Sequence, residues 1–249
     1  MSPVVSIITP AFNASHTIAQ AIESVQAQTF QQWEMLIVDD LSTDDTCAIV
    51  ETYVERDSRI RLLRQRINAG PASARNFGLK LATCRYVAFL DSDDYWLPEK
   101  LSRQLDFMMV NKVALSYTLY RRFKDDIEHA GPLINLPPFF SYEGLLKNSG
   151  VASCLTSIID RELVGLIEFP LIRHEDYGLW LKLLKRGLVA YGLMEDLARY
   201  RVSNSSVSGN KLKSALWVWN IYRDIEKLSL PHAAWCFGNY AWNAYRRNR

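Results

Sequence analysis

The sequence predicts an α/β protein with a mostly parallel central sheet and helices on both faces. Three observations carry that prediction. Short apolar runs rich in β-branched residues alternate with helical apolar stripes through the first hundred residues, the order that makes parallel strands joined by crossover helices. Each of these runs stops at a polar or turn-forming residue. The chain has 249 residues, 49% hydrophobic and 22% charged, which is enough for one large core.

Residues 4–9 form the first predicted strand, closed by Pro10. Ser15 is read as the N-cap of a helix whose apolar face is Ile18, Ala21, Ile22 and Val25. Residues 35–38 make a second strand that stops at Asp39-Asp40. Ser42-Thr43-Asp44-Asp45 then offers caps for a helix from Thr43, with Ile49, Val50, Tyr53 and Val54 as its stripe. Residues 60–63 are a third strand. Gly70-Pro71 opens a helix with proline in its first turn, striped by Ala74, Phe77 and Leu81. Residues 86–90 are a fourth strand, ending at Asp91. The second half is less regular. It shows a helix over 98–109, a strand over 113–120, and a surface loop or hairpin over 121–140 punctuated by Gly131-Pro132 and Pro137-Pro138. A short strand over 156–159 follows. A helix over 175–186 buries Leu179, Trp180, Leu183 and Leu184 and stops at Gly187.

A net charge of +2 gives no ground for a nucleic-acid partner. The distribution is uneven: from Lys211 to Arg249 there are seven Lys or Arg against only Asp224 and Glu226. Cys47, Cys84, Cys154 and Cys236 are scattered with no C-x-x-C pair, so the expectation is buried thiols in a reducing compartment. The first residues lack the charged and long apolar regions of a signal peptide, and no apolar run approaches the roughly 18 residues a bilayer span needs. A cytoplasmic chain is expected, with contact at the inner face of the membrane left open.

In parallel sheets, ligands bind beyond the carboxyl ends of the strands. Residues 9–13, Asp39-Asp40 and Asp91-Ser92-Asp93-Asp94 should therefore converge on one crevice. Three carboxylates in four residues repel one another unless a cation neutralises them, and oxygen donors suit Mg²⁺ or Mn²⁺. The alternative is a capping turn. Asp39-Asp40 is either a cap or an acceptor for a nucleotide. The small residues of Asn68-Ala69-Gly70 let a ligand approach closely. Arg75 either contacts that ligand or is solvated beside tight helix–sheet packing. In His174-Glu175-Asp176 the carboxylates either complement a helix dipole or supply a general base for an acceptor hydroxyl.

Read together, five strings resemble glycosyltransferase family 2, the inverting group with the GT-A fold. They are Val5-Ser6-Ile7-Ile8-Thr9-Pro10-Ala11-Phe12-Asn13, Ser24-Val25-Gln26-Ala27-Gln28-Thr29, residues 34–46, Asn68-Ala69-Gly70 with Ala74-Arg75-Asn76-Phe77-Gly78, and Phe89-Leu90-Asp91-Ser92-Asp93-Asp94. The resemblance is dense over 4–105 and thinner over 173–208. It implies a GT-A domain over 1–210, with a nucleotide-binding half (1–110) and an acceptor half (111–210), and a helical extension over 211–249. It implies that Thr9, Pro10 and Phe12 line the base and ribose, that Asp40 holds the base with Arg75 beside it, and that Asn68 and Gly70 border the nucleotide. In the D-x-D motif Asp91-Ser92-Asp93, the first aspartate implies a contact to sugar or ribose hydroxyls and the second a Mn²⁺ or Mg²⁺ ligand, with Asp94 sharing either task. Asp176 is the implied catalytic base, with Glu175 orienting groups nearby. Tyr200-Arg201 and residues 203–208 look like the loop that closes on the diphosphate. The donor so implied is a nucleotide diphosphate sugar, most commonly UDP-linked. The acceptor is a glycan hydroxyl, carried on a lipid in many bacterial relatives that build surface polysaccharides.

Competing classes fare worse. A dinucleotide oxidoreductase wants G-x-G-x-x-G after the first strand, and Pro10-Ala11-Phe12-Asn13 has no glycine. A sugar nucleotidyltransferase wants a glycine-rich basic loop there. A non-catalytic carbohydrate-binding protein has no need of both Asp93 and Asp176. The tail holds Trp217, Trp219, Tyr222, Trp235, Phe237, Tyr240, Trp242 and Tyr245 among basic residues. These rings either sit at a membrane–water interface or cover the domain core.

Overall fold

The computed structural model describes residues 2–148, 153–202 and 211–247. Its first half runs β1 (Val5–Ala11), α1 (Ile18–Gln26), β2 (Trp33–Asp39), α2 (Thr46–Val54), β3 (Ile60–Arg64), α3 (Pro71–Leu81) and β4 (Tyr86–Phe89). β1, β2 and β4 are buried along their whole length, which is why they read as unbroken apolar runs. The expected face of α1 is buried, but Ser15 does not cap it: the helix begins after Thr17, and the Ser15 N–H donates to Asp44 instead. α2 likewise starts at Thr46 and not Thr43, because Asp44 Oδ1 accepts the Thr46 N–H at 3.0 Å.

α3 departs most from its predicted stripe. It buries Ala72, Ala74, Arg75, Gly78 and Leu79, while Phe77 and Leu81 stay half-buried. The cause is close approach: a Cβ on Gly78 would lie 2.6 Å from Ile8 Cγ2. The helix rests directly on the sheet, with Gly78 facing Ile8 of β1 and Val38 of β2.

The second half runs β5 (Tyr95–Trp96), α4 (Lys100–Asn111), β6 (Leu115–Phe123), β7 (Leu133–Ile134), β8 (Phe139–Phe140), α5 (Tyr142–Leu146), a 3₁₀ turn (Cys154–Thr156), β9 (Ile158–Asp160), α6 (Arg161–Val164), α7 (Glu175–Leu184) and β10 (Ala190–Arg201). β7 doubles back on β6 to make a hairpin with a short second arm and a long loop, and β8 then pairs with β10. β10 escapes periodicity because Glu195, Asp196 and Arg199 interrupt its apolar pattern and its register slips between Leu193 and Ala198. Those charges are paired: Arg121 and Arg199 each meet Asp196 at 2.6 Å, and Arg103 meets Glu195 at 2.6 Å.

Among the described residues the strand order is β3-β2-β1-β4-β9-β6-β10-β5. The first four strands are parallel. β9 opposes both of its neighbours, and β10 runs parallel to β6. The carboxyl ends of β1, β2, β4, β6 and β10 therefore share one edge. The division near residue 110 cuts the chain but not the sheet, and one hydrophobic cluster spans both halves.

The tail forms α8 (Lys211–Asn220), a π turn (Ile221–Ile225) and α9 (Leu230–Arg247). Part of it covers the core. Val218, Ile221, Tyr222, Ala233 and Cys236 are buried, and Trp219 meets Phe237 edge-on at 5.5 Å. Trp235 and Trp242 are not part of that cover, being 65% and 61% exposed. No described helix is long and apolar enough to cross a membrane. All four cysteines are free, and Cys84, Cys154 and Cys236 are buried.

Candidate active site

The acidic turn follows β4 at the carboxyl edge of the sheet. Its three carboxylates have three different environments. Asp91 keeps 35% of its side chain exposed and accepts a 2.5 Å bond from Arg75 Nη2. Burial, together with the charge of Asp91, pushes the Asp93 carboxyl up to about 6. Asp94 is buried, and its Oδ1 accepts the Arg201 N–H at 2.8 Å. Burial and its acidic neighbours raise its proton affinity far above the ordinary carboxylate range. Asp94 therefore fastens the turn to β10 through Oδ1, while its buried Oδ2 has no described partner. Arg201 is also a clamp and not a free diphosphate contact. Its Nε donates to the Asp93 carbonyl at 2.8 Å, it bonds Gln20 and the Lys124 carbonyl, and it lies over the Phe123 ring at 4.4 Å. Residues 203–208, expected to close on the diphosphate, lie outside the described residues.

The donor set of this turn fits a hard divalent cation held by few protein atoms. Asp93 supplies a carboxylate whose charge is unbalanced where it stands, and Asp91 supplies a second oxygen. Mg²⁺ and Mn²⁺ accept such oxygen donors and take waters and phosphate oxygens as their other ligands; among the described residues no group of three His, Cys, Asp or Glu is placed to hold a metal ion.

Arg75 is the connection sequence reading missed. It was expected beside the base or in solvent; instead it is 4% exposed beneath the site. Its Nη2 bonds Asp91 and its Nη1 bonds Glu175 at 2.7 Å, joining residues 100 positions apart. Burial opposes the guanidinium charge, but Asp91 and Glu175 outweigh it and hold Arg75 cationic. The Phe169 ring lies 5.4 Å from the guanidinium and edge-on to Phe89 at 5.1 Å. Asn76 fixes Phe169 in turn, through bonds to its N–H at 2.8 Å and its carbonyl at 2.9 Å.

Glu175 and Asp176 open α7. His174 precedes them in the left-handed region at φ 56°, so the chain turns sharply into the helix. Burial raises the Asp176 carboxyl from its ordinary 3.8 to about 6, the Glu175 charge adds to this, and the Tyr177 N–H bond only partly offsets it. Burial holds the His174 imidazole below its usual range, so it is neutral. Cys154 joins this group: burial raises its thiol well above the usual range, Arg75 opposes this, and the charges of Asp176, Asp91 and Glu175 add to it. The sequence marked Cys154 only as a buried thiol and Trp217 only as a tail aromatic; the fold brings them here, with the Trp217 ring 5.2 Å from His174.

The neighbouring strand ends complete the crevice. The ladder from β1 to β4 stops at Ile8 opposite Phe89, which leaves Thr9 and Pro10 open on that side. Both are buried, the Thr9 hydroxyl has no described partner, and Phe12 is 49% exposed. Asp40 was expected to hold the base directly. Its carboxylate instead accepts the N–H groups of Ala69 at 2.9 Å and Gly70 at 2.7 Å, while Asn68 Nδ2 donates to its carbonyl at 3.0 Å. Asp40 thus shapes the turn that borders the site. Gly70 is needed there because its φ is +83°.

The carboxyl edge of the sheet thus gathers an acidic turn, an exposed ring and a carboxyl of raised proton affinity at a helix start, an arrangement suited to sugar transfer. The chain belongs to glycosyl transferase family 2, whose model matches residues 6–164, and it is a glycosyltransferase. It is 46% identical over 246 residues to the putative teichuronic acid biosynthesis glycosyltransferase TuaG of Bacillus subtilis, covering 98% of this chain and 97% of that one. It is 41% identical over 240 residues to the Escherichia coli UDP-Glc:alpha-D-GlcNAc-diphosphoundecaprenol beta-1,3-glucosyltransferase WfaP, covering 96% and 93%. Among solved structures it resembles S. aureus TarS in complex with UDP (TM-score 0.69, 21% identity, 96% of this chain and 70% of that one). It also resembles the mannosyltransferase PcManGT of Pyrobaculum calidifontis in complex with GDP-Man and Mn²⁺ (TM-score 0.69, 18% identity, 96% and 69%).

Proposed function

We propose that this enzyme moves a sugar from a nucleotide diphosphate donor, UDP-linked, to a hydroxyl of a lipid-linked glycan in cell-surface polysaccharide biosynthesis, inverting the anomeric centre. The observation that carries the reading is the Arg75 bridge, which ties Asp91 of the acidic turn to Glu175, the residue before Asp176. The names of the relatives similar over nearly the whole chain support the acceptor and the donor nucleotide.

Thr9, Pro10 and Phe12 would receive the base and ribose, with the Phe12 ring against the base. Asn68 and Gly70 border that pocket. Asp91 accepts from donor hydroxyls through the oxygen Arg75 leaves free, and Ser92 lies between it and Asp93. Asp93, with Asp91, would hold Mn²⁺ or Mg²⁺, which when bound neutralises the diphosphate. Asp176 takes the proton of the acceptor hydroxyl, whose oxygen attacks the anomeric carbon from the face opposite the diphosphate. The bond to the diphosphate breaks and its electron pair leaves with the nucleotide. A carboxylate with a pKa near 6 is ionised at neutral pH yet more basic than an ordinary aspartate, which suits it to this transfer.

The test is UDP-glucose with a GlcNAc-diphospholipid acceptor and Mn²⁺. The expected product is a β-linked disaccharide by NMR coupling, with UDP release that depends on acceptor and stops with chelator. An α-linked product, or undiminished turnover in chelator, overturns the reading.

A further inference from the structure

We propose that the solvent face of α9 docks on an anionic bilayer surface. The proposal deepens the reading of a lipid-carried acceptor and rests on it for its purpose.

An ordinary surface helix turns charge outward and apolar residues inward. α9 does not. Its inner side is apolar, with Ala233 and Cys236 buried and Phe237 and Tyr240 packed on the core. Its outer side is apolar too. Ala234, Trp235, Gly238, Ala241 and Trp242 are all exposed and recur at three- and four-residue spacing, so they share one face. From Leu230 to Asn243 there is no Lys, Arg, Asp or Glu. The two tryptophans stand two helical turns apart, and open space surrounds Gly238 between them. Asn243 Nδ2 donates to the Lys147 carbonyl at 3.0 Å, fastening the far end of the helix to the domain.

Charge selects the occupant. The segment from Lys211 to Arg249 carries seven Lys or Arg and two acids, while the rest of the chain is slightly acidic. A net positive segment that includes an apolar, tryptophan-bearing helix complements an anionic lipid surface. Pairing two copies through this face would bring two basic tails together. The tail also reaches the chemistry: Trp217 of α8 packs on His174, two residues before Asp176. A membrane seat on α9 would thus be continuous with the element that carries the base.

The test is flotation of the full chain with phosphatidylcholine vesicles containing about one third phosphatidylglycerol, comparing wild type with W235S/W242S. Both side chains are more than half exposed, and the variant's melting temperature is measured alongside to show that it remains folded. Wild type should float, and the variant's bound fraction should fall at least about tenfold while its turnover on a short-chain, water-soluble acceptor is unchanged. Failure of wild type to float, or equal flotation of both proteins, overturns the proposal. A lipid-free dimer of wild type that the variant loses, without flotation, gives the face to a second copy and also overturns it. Failure of the enzymatic reading looks different: flotation persists, but no acceptor receives sugar.

Discussion

Replacing Asp176 with asparagine should make the protein more stable and almost inactive. The carboxyl is raised from 3.8 to about 6, chiefly by burial. At about 1.4 kcal/mol per pKa unit, the ionised group costs the native state at most about 3 kcal/mol above pH 6. Asp176 is only partly shielded from solvent, and water screening should leave about 1–2 kcal/mol of that. Asparagine keeps an acceptor for the Tyr177 N–H and carries no charge. The sign follows from proton counting. Between pH 4 and 6 the native carboxyl binds more protons than the unfolded one, so this group's contribution to stability falls as pH rises and its penalty is complete by neutral pH. The melting temperature of the variant should therefore exceed wild type by roughly 2–8 °C at pH 7.5, and the gap should close towards pH 4. Removal of a general base should lower kcat by about 10²–10⁴, with donor affinity held within about threefold. Differential scanning calorimetry across pH, stopped-time turnover and donor titration measure the three quantities. A less stable variant at pH 7.5, a gap that ignores pH, or turnover within tenfold of wild type would sink the assignment.

Wild-type kcat/KM should fall below about pH 6, where Asp176 takes up its proton; a profile flat down to pH 5 contradicts this. Asp93→Asn should raise the Mn²⁺ concentration needed for half-maximal activity by at least about tenfold, read by metal titration of turnover. Arg75→Lys cannot bridge two carboxylates with one planar fork, so kcat should drop more than tenfold and stability should fall by about 2–4 kcal/mol; wild-type kcat in that variant would show the bridge to be idle. Gly78→Ala should cost about 1–3 kcal/mol in denaturant unfolding, because its Cβ would press on Ile8 at 2.6 Å.

Much of this molecule was legible along the chain because its causes are local. Strands β1, β2 and β4 announce themselves through unbroken β-branched runs, since both faces of each are covered. α1 and α7 show their buried faces through 3.6-residue periodicity. The acidic turn, the Asn68-Ala69-Gly70 turn and the Glu175-Asp176 pair are contiguous, so their chemistry is visible as spelling. The helix starts were misplaced at Ser15 and Thr43 because the side chain of one residue, Asp44, bonds both the Ser15 N–H and the Thr46 N–H. β10 was hidden because its charges are neutralised by Arg121 and Arg103 from other elements.

The roles of the site residues depend on contacts that no local pattern encodes. Spacing presents Asp91, Asp93 and Asp94 as equivalent, yet folding hands one to Arg75, half-buries one with its carboxyl raised to about 6, and fastens one to the backbone of β10. Arg75 and Arg201 read as surface cations available to a nucleotide, and folding turns both inward as clamps. The tail's aromatic residues are alike in sequence, but the fold presses Tyr222 of the π turn into the core and leaves Trp235 and Trp242 of α9 more than half exposed. In each case a side chain's surroundings come from residues tens to a hundred positions away. Periodicity and capping, which act over a few residues, carry no record of them.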